Sequence, residues 1–269
     1  MIQPSLFLSH GAPDLALKDS PARAFLAELG TRLKRPDAIV IASAHDERPG
    51  PRVRAPAAFR TWHDFGGFDR RLGEMRYEPP GAAAVATEVE ARLLAAGLDA
   101  VGDPDPRLDH GAWVPLSLLF PAADVPLTTV SIDPGRDERW HARVGAALAP
   151  LRQRNVLVIG SGSISHNLGE VFRPAGGDVA WAEAFTAWLA DAAARDDRAA
   201  LLDALSSAPE AARNHPTAEH FLPFFVALGA GGEDAVAARL HHSYTYGALA
   251  MDAYAFGERE AVARLSRPS

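Results

Sequence analysis

Histidine is the residue whose placement in this chain could do chemistry. Three apolar stretches that read as buried strands run into one: Ser5-Leu-Phe-Leu-Ser-His10, Ala38-Ile-Val-Ile-Ala-Ser-Ala-His45 and Val156-Leu-Val-Ile-Gly-Ser-Gly-Ser-Ile-Ser-His166. In an open α/β sheet, ligands bind beyond the carboxyl ends of the strands, so side chains from several strand ends meet there however far apart they lie in sequence. Imidazoles that converge in this way point to a metal. The chain has no cysteine, which excludes disulfides, iron–sulfur clusters and thiolate zinc sites, and leaves His, Asp, Glu or water to hold any metal.

His10 and His45 are the expected metal ligands, because strand ends are rigid mounts. His166 follows the small-residue loop Gly160-Ser-Gly-Ser163, where backbone can approach a ligand, and it is open as a further ligand or a free acid/base. His220, in Pro216-Thr-Ala-Glu-His-Phe-Leu-Pro223, falls just inside a predicted helix start capped by Thr217. His110 falls in a turn ahead of the apolar run Val114 to Phe120, from which it could face the cleft. His141, His215, His241 and His242 have no comparable setting and read as surface or packing residues. The loop Gly160-Ser-Gly-Ser is not a nucleophile elbow, since Ile164 stands where the last glycine belongs, and it lacks the third glycine of a dinucleotide fingerprint. The lysine-bearing phosphate loop is absent too.

These residues need elements to hold them. Ser20-Pro21 opens a predicted helix through Leu33, with serine as cap and proline in the first turn. Ala82 to Ala96 forms a second helix and Trp140 to Leu151 a third, while Pro126 to Ile132 and Asn155 to Ile159 read as strands. Helices are expected near Trp181 to Ala194 and Ala218 to Ala227, and Leu240 to Phe256 fits either type. The alternation predicts an α/β fold, a single domain over residues 1–269 with a central, mostly parallel or mixed sheet flanked by helices on both faces. The stretch from Asp46 to Pro80 has little periodicity but carries Thr61-Trp-His-Asp-Phe-Gly-Gly-Phe68. Its rings and paired glycines suggest an ordered lid or pocket wall, with Trp62, His63 and Phe65 as candidate substrate contacts.

With 269 residues, 48% of them hydrophobic, the chain can bury a substantial core. A net charge of -7 without long like-charge runs argues against nucleic acid or an anionic membrane as partner and favours a small organic ligand. No cationic leader precedes Leu6, and no apolar run approaches the roughly 20 residues that span a bilayer. The expectation is a cytoplasmic protein, with homo-oligomer formation left open.

Six blocks taken in order carry a resemblance: Leu6-Phe-Leu-Ser-His-Gly-Ala-Pro13, Ser43-Ala-His45, His63-Asp-Phe-Gly-Gly-Phe68, Asp109-His-Gly-Ala-Trp113, Ser165-His-Asn-Leu168 and Pro216-Thr-Ala-Glu-His-Phe-Leu-Pro223. Together they resemble the class III extradiol ring-cleavage dioxygenases, in particular the 4,5-DOPA dioxygenase extradiol type. The resemblance implies a non-haem Fe(II) enzyme that opens a DOPA-like catechol ring beside its two hydroxyls with O₂. It implies His10, His45 and His220 as metal ligands and His166 as the catalytic histidine, itself a candidate fourth ligand. Protocatechuate-type relatives use Glu as third ligand, which leaves Glu219 beside His220 as the alternative. Zn(II) can occupy the same imidazole-rich site. His110 is the candidate second catalytic group, either supporting the metal ligands from behind or shuttling protons.

The chain departs from that subgroup at Asp46-Glu-Arg48, where an aromatic residue is usual after the second histidine, and at Asp69, often a proline. If these groups line the pocket mouth, they bear on the substrate: acidic groups discourage carboxylate-bearing catechols, while Arg48 or Arg52 attracts them. Two rival classes share the same imidazoles. One is a zinc hydrolase with Glu219 or Asp46 as base, the other a non-enzymatic Memo-like binding protein on the same scaffold.

Overall fold

A computed structural model describes residues 2–171 and 179–266. Its strands are, in chain order, β1 Ser5–Ser9, β2 Ala38–Ser43, β3 Arg52–Arg54, β4 Arg60–Thr61, β5 Val101–Gly102, β6 Arg107–Leu108, β7 Leu127–Val130, β8 Val156–Gly162, β9 Val236–His241, β10 Tyr244–Thr245, β11 Leu249–Ala250 and β12 Ala253–Gly257. Eight of them form one sheet in the order β5-β3-β7-β2-β8-β1-β12-β9. The four inner strands β7, β2, β8 and β1 are mutually parallel, whereas β3 joins β7, β12 joins β1 and β9 joins β12 antiparallel. The expected α/β fold with a mixed, centrally parallel sheet is what the chain adopts.

Both sheet faces are covered, which explains why the inner strands are apolar without interruption. Successive side chains alternate between faces. Phe7, Val40 and Val158 point into one core with Phe224 and Phe225 of the helix Leu222–Ala230 and Leu148 of the helix Glu138–Leu148. Leu6, Leu8, Ile39, Ile41, Leu157 and Ile159 point into the other, against Leu26 and Leu29 of the helix Pro21–Arg32 and Trp113 and Leu116 of the helix His110–Leu119. Each such side chain contributes about 1.5–3 kcal/mol on burial, so the sheet is a rigid platform for what its ends carry.

Several local expectations shift. Ser20 caps the helix Pro21–Arg32 as predicted, its side chain accepting from the Arg23 amide at 3.2 Å. The third helix stops at Leu148 and tightens into a 3₁₀ turn over Ala149–Arg154, where Pro150 cannot donate to the α-helical ladder. His110 is in no turn but is the first residue of a helix, capped by the Asp109 side chain on the Ala112 amide. Thr217 caps nothing: the helix begins at Leu222 with Pro223 in its first turn, so His220 sits just before it. The stretch 240–256 holds the end of β9 and the strands β10, β11 and β12 with turns between them, and its alanine content disguised them.

Candidate metal centre and active-site cleft

His10, His45 and His220 arrive from three different elements, the end of β1, the turn after β2 and the segment before the helix Leu222–Ala230. Their Nε2 atoms meet: 3.1 Å separates those of His10 and His45, and 3.3 Å those of His45 and His220. The hydrogen bonds behind the rings fix which nitrogen carries the proton. Ser161 Oγ donates its single proton to the Gly111 carbonyl, so the 3.1 Å contact with His10 Nδ1 must be a bond donated by the ring. Likewise, His220 Nδ1 donates to the Glu219 carboxylate at 2.9 Å. Both rings are thereby held as Nδ1–H tautomers that turn Nε2 lone pairs towards His45. At most one of the two Nε2 contacts can carry a hydrogen bond, through a proton on His45. A cation between the rings satisfies all three nitrogens, and this donor set fits a divalent metal.

Burial enforces the neutral state. It pushes the pKa of His10 well below its ordinary value, and the neighbouring imidazoles of His45 and His110 add to the effect. Burial takes His45 to about 3, reinforced by His110 and partly opposed by Asp64. His220 is lowered in the same way, by burial and then by His166 and His45. Neutral imidazole is the form that binds metal.

Gly160 and Gly162 bring His220 this close to the sheet. A Cβ on Gly162 would lie 2.0 Å from the His220 carbonyl, and one on Gly160 the same distance from the Pro223 carbonyl. The close approach also lets the Ser163 amide donate to the His220 carbonyl at 2.8 Å. On the other side, Ser43 Oγ donates to Asp109 at 2.5 Å and accepts the His45 amide, which ties the end of β2 to the helix that starts at His110.

Two further imidazoles adjoin the cluster. His166 stacks on His220, ring centroids 3.4 Å apart and 10° from parallel, with Nδ1 3.8 Å from Glu219. Burial lowers its pKa, against the opposing pull of Glu219. His110 lies with its ring centroid 4.0 Å from that of His45, and its Nδ1 donates to Asp64 at 3.0 Å. All five predicted histidines are therefore brought together.

A cleft of ≈ 930 Å³ opens onto His45, His110, His166 and His220. Phe65, Leu168, Val171 and Leu249 give it apolar walls, and Asp14, Lys18, Asp69, Arg71 and Tyr246 supply polar groups besides the histidines. Of the three predicted substrate contacts, only Phe65 lines it. Trp62 lies under the Arg107 guanidinium, 4.6 Å from the ring centroid, and offers its carbonyl to Trp113. His63 is turned to the Met75 carbonyl and reaches the cleft only through its edge contact with Phe65. The local sequence marked the loop but could not say which of its rings faces inward. Nor do Arg48 and Arg52 guard the mouth. Asp46 is buried in an ion pair with Arg54, Arg48 approaches Asp105, and the cations at the cleft are Lys18 and Arg71, the latter bound to Asp69. Burial raises the Asp46 pKa against the pull of Arg54, and a carboxylate committed to Arg54 is no free base for a hydrolase. Sequence reasoning missed Ser161 and Asp64 as orienting groups. Asp64 stood within a recognised block, but Ser161 gave no signal beyond its place at a strand end.

Residues 4–257 match the family described as the catalytic LigB subunit of aromatic ring-opening dioxygenase. The chain belongs to this family. Among its relatives in the LigB family, the 4,5-DOPA dioxygenase extradiol of Beta vulgaris is 37% identical over 259 residues, which cover 95% of this chain and 97% of the relative. The Escherichia coli K12 protein of the same name is 34% identical over 231 residues, 84% of each chain. The fold agrees with a crystal structure of an uncharacterized protein from Escherichia coli K12, with a TM-score of 0.79 at 28% identity over 95% of this chain and all of that one. This LigB-family chain is a ring-opening dioxygenase, which sets aside the zinc hydrolase and the non-enzymatic binding protein.

Proposed function

We propose that His10, His45 and His220 hold a divalent iron, and that the cleft beside them takes a catechol whose ring is opened next to its two hydroxyls, both atoms of O₂ entering the product. The observation that carries this reading is the meeting of three imidazole Nε2 atoms from three separate elements, two of them with Nδ1 already committed to Ser161 and Glu219. When bound, the iron supplies the redox chemistry with O₂ and acidifies a coordinated hydroxyl. Zn(II) suits the same donors but has no redox chemistry, so it would give a bound, inactive form. The names of the Beta vulgaris and Escherichia coli relatives support a DOPA-like catechol as substrate.

The chain's own residues then have distinct tasks. His166, kept neutral by burial, accepts a proton from a catechol hydroxyl, and Glu219, 3.8 Å from its Nδ1, stabilises the imidazolium that results. Such general-base help is worth about 10² to 10⁴-fold. Glu219 acts here as an orienting group for His220 rather than as a ligand, because its Oε1 already accepts the His220 proton. His110 is a second proton-transfer group on the opposite side of the cluster. Phe65, Leu168 and Leu249 hold the ring between apolar surfaces and exclude water.

The test is to load the protein with Fe(II) under anaerobic conditions, add a panel of catechols and admit O₂. The reading expects O₂ uptake with formation of a yellow ring-opened semialdehyde, and none from Zn(II)-loaded protein. Full iron loading without uptake on any catechol would overturn it.

A further inference from the structure

Asp64 lies in the Trp62-His-Asp-Phe-Gly-Gly-Phe68 loop, whose Phe65 and Phe68 line the cleft, yet its own carboxylate turns inward to the imidazoles. Its Oδ1 receives two bonds from one residue, the His110 backbone amide at 3.0 Å and the His110 Nδ1–H at 3.0 Å. Its Oδ2 stands 3.9 Å from His45 Nδ1. Both side chains of the Asp64–His110 pair are nearly withdrawn from solvent, at 8% and 9% exposure, so water competes little for the bond. A carboxylate held this way is an acceptor only, and the bond therefore dictates that the His110 proton sits on Nδ1. We propose that Asp64 is a positioning residue: it locks His110 as the Nδ1–H tautomer and so makes Nε2 the acceptor that His110 offers to the cleft.

The arrangement parallels those behind His10 and His220, where Ser161 and Glu219 play the same part. It differs in where the acceptor comes from. Ser161 belongs to the sheet, whereas Asp64 belongs to the segment that also supplies the cleft's aromatic wall. One carboxylate thus sets the proton-transfer group and anchors the wall over it, so that the substrate's ring and the acceptor for its proton are registered to each other. Asp64 also caps the amide of the helix His110–Leu119, but that helix has a second cap in Asp109 on Ala112. Capping alone does not account for a bond to the ring.

The kinetic arm of the test rests on the proposed catechol chemistry, while the spectroscopic arm does not. Long-range ¹H–¹⁵N spectra of the diamagnetic Zn(II)-loaded protein read histidine tautomers directly. The wild type should show His110 protonated on Nδ1, Asp64→Ala should show mixed tautomers, and Asp64→Asn should keep the wild-type pattern, because its Oδ1 alone can receive both bonds. With iron and a catechol, Asp64→Ala should lower kcat by about 10 to 100-fold with KM within roughly threefold, and Asp64→Asn should recover most of the loss. In a His110→Ala background, Asp64→Ala should cost nothing further, as expected of a residue that acts through another. His110 protonated on Nε2 in the wild type, or an equal kcat loss from Asp64→Ala with His110 absent, would overturn the proposal. Should Asp64→Ala fail to fold, the wild-type and Asp64→Asn spectra still decide. Absence of turnover in every variant would count against the catechol reading and leave the tautomer result standing.

Discussion

Ser161 has one hydroxyl proton and gives it to the carbonyl of Gly111, which leaves its oxygen to receive the Nδ1–H of His10. That small asymmetry orients an imidazole proposed to hold the metal. Ser161→Ala should therefore weaken metal affinity by about 10 to 100-fold with little change in fold, as metal titration against a competing chelator would show. His10→Ala, His45→Ala and His220→Ala are expected to abolish stoichiometric binding. His166→Ala should keep the metal and lose about 10² to 10⁴-fold in kcat; loss of metal from that variant would make His166 a ligand instead. Of the proposed ligands, His10 and His45 were legible because strand-end histidines stand out against apolar runs, whereas His220 was signalled only by the family resemblance. Ser161, Ser43 and Asp64 were not, since a hydrogen bond across 151, 66 or 46 residues leaves no local pattern.

At the scale of elements, the site depends on how closely the segment ending in Pro223 lies on β8. The glycines Gly160 and Gly162 looked like a loop built for a ligand, but both lie inside β8 and admit a neighbouring backbone. Gly162→Ala places a methyl 2.0 Å from the His220 carbonyl and should destabilise the fold by at least about 1–3 kcal/mol. Because the strain falls on His220, metal affinity should drop along with the melting temperature; a variant that melts lower but binds metal normally would separate the two effects. The β1, β2 and β8 strands and the helix Pro21–Arg32 could be read from period and capping. The start of the helix Leu222–Ala230 could not, because Thr217 reads as a cap, whereas the chain only bends and turns before Leu222 and the helix opens with Pro223 in its first turn.

For the molecule as a whole, the buried histidines predict how stability responds to pH. Burial lowers His141 to about 4 and His215 to about 3, with hydrogen bonds to the Asp137 and Ile164 carbonyls opposing it. Their ordinary value is near 6.5. Below that pH the unfolded chain takes up protons that the folded chain refuses, so metal-free stability should fall as pH drops from about 6.5 towards 4, by up to about 1.4 kcal/mol per unit for each such group. A melting temperature flat between pH 7 and 5 would contradict this. Metal binding, which needs His10, His45 and His220 neutral, should raise the melting temperature at neutral pH and lose that effect on acidification. The α/β architecture was legible from the alternation of elements, and the antiparallel β9 and β12 were not, because β12 pairs with β1 across nearly the whole chain.

In the proposed reaction this cluster directs O₂ into a catechol ring. Turnover of the iron-loaded protein with ¹⁸O₂, followed by mass spectrometry of the ring-opened product, tests it most directly. Both labelled atoms should appear in the product, with one O₂ consumed per catechol. A product with no label, or catechol oxidised with its ring intact, would contradict it.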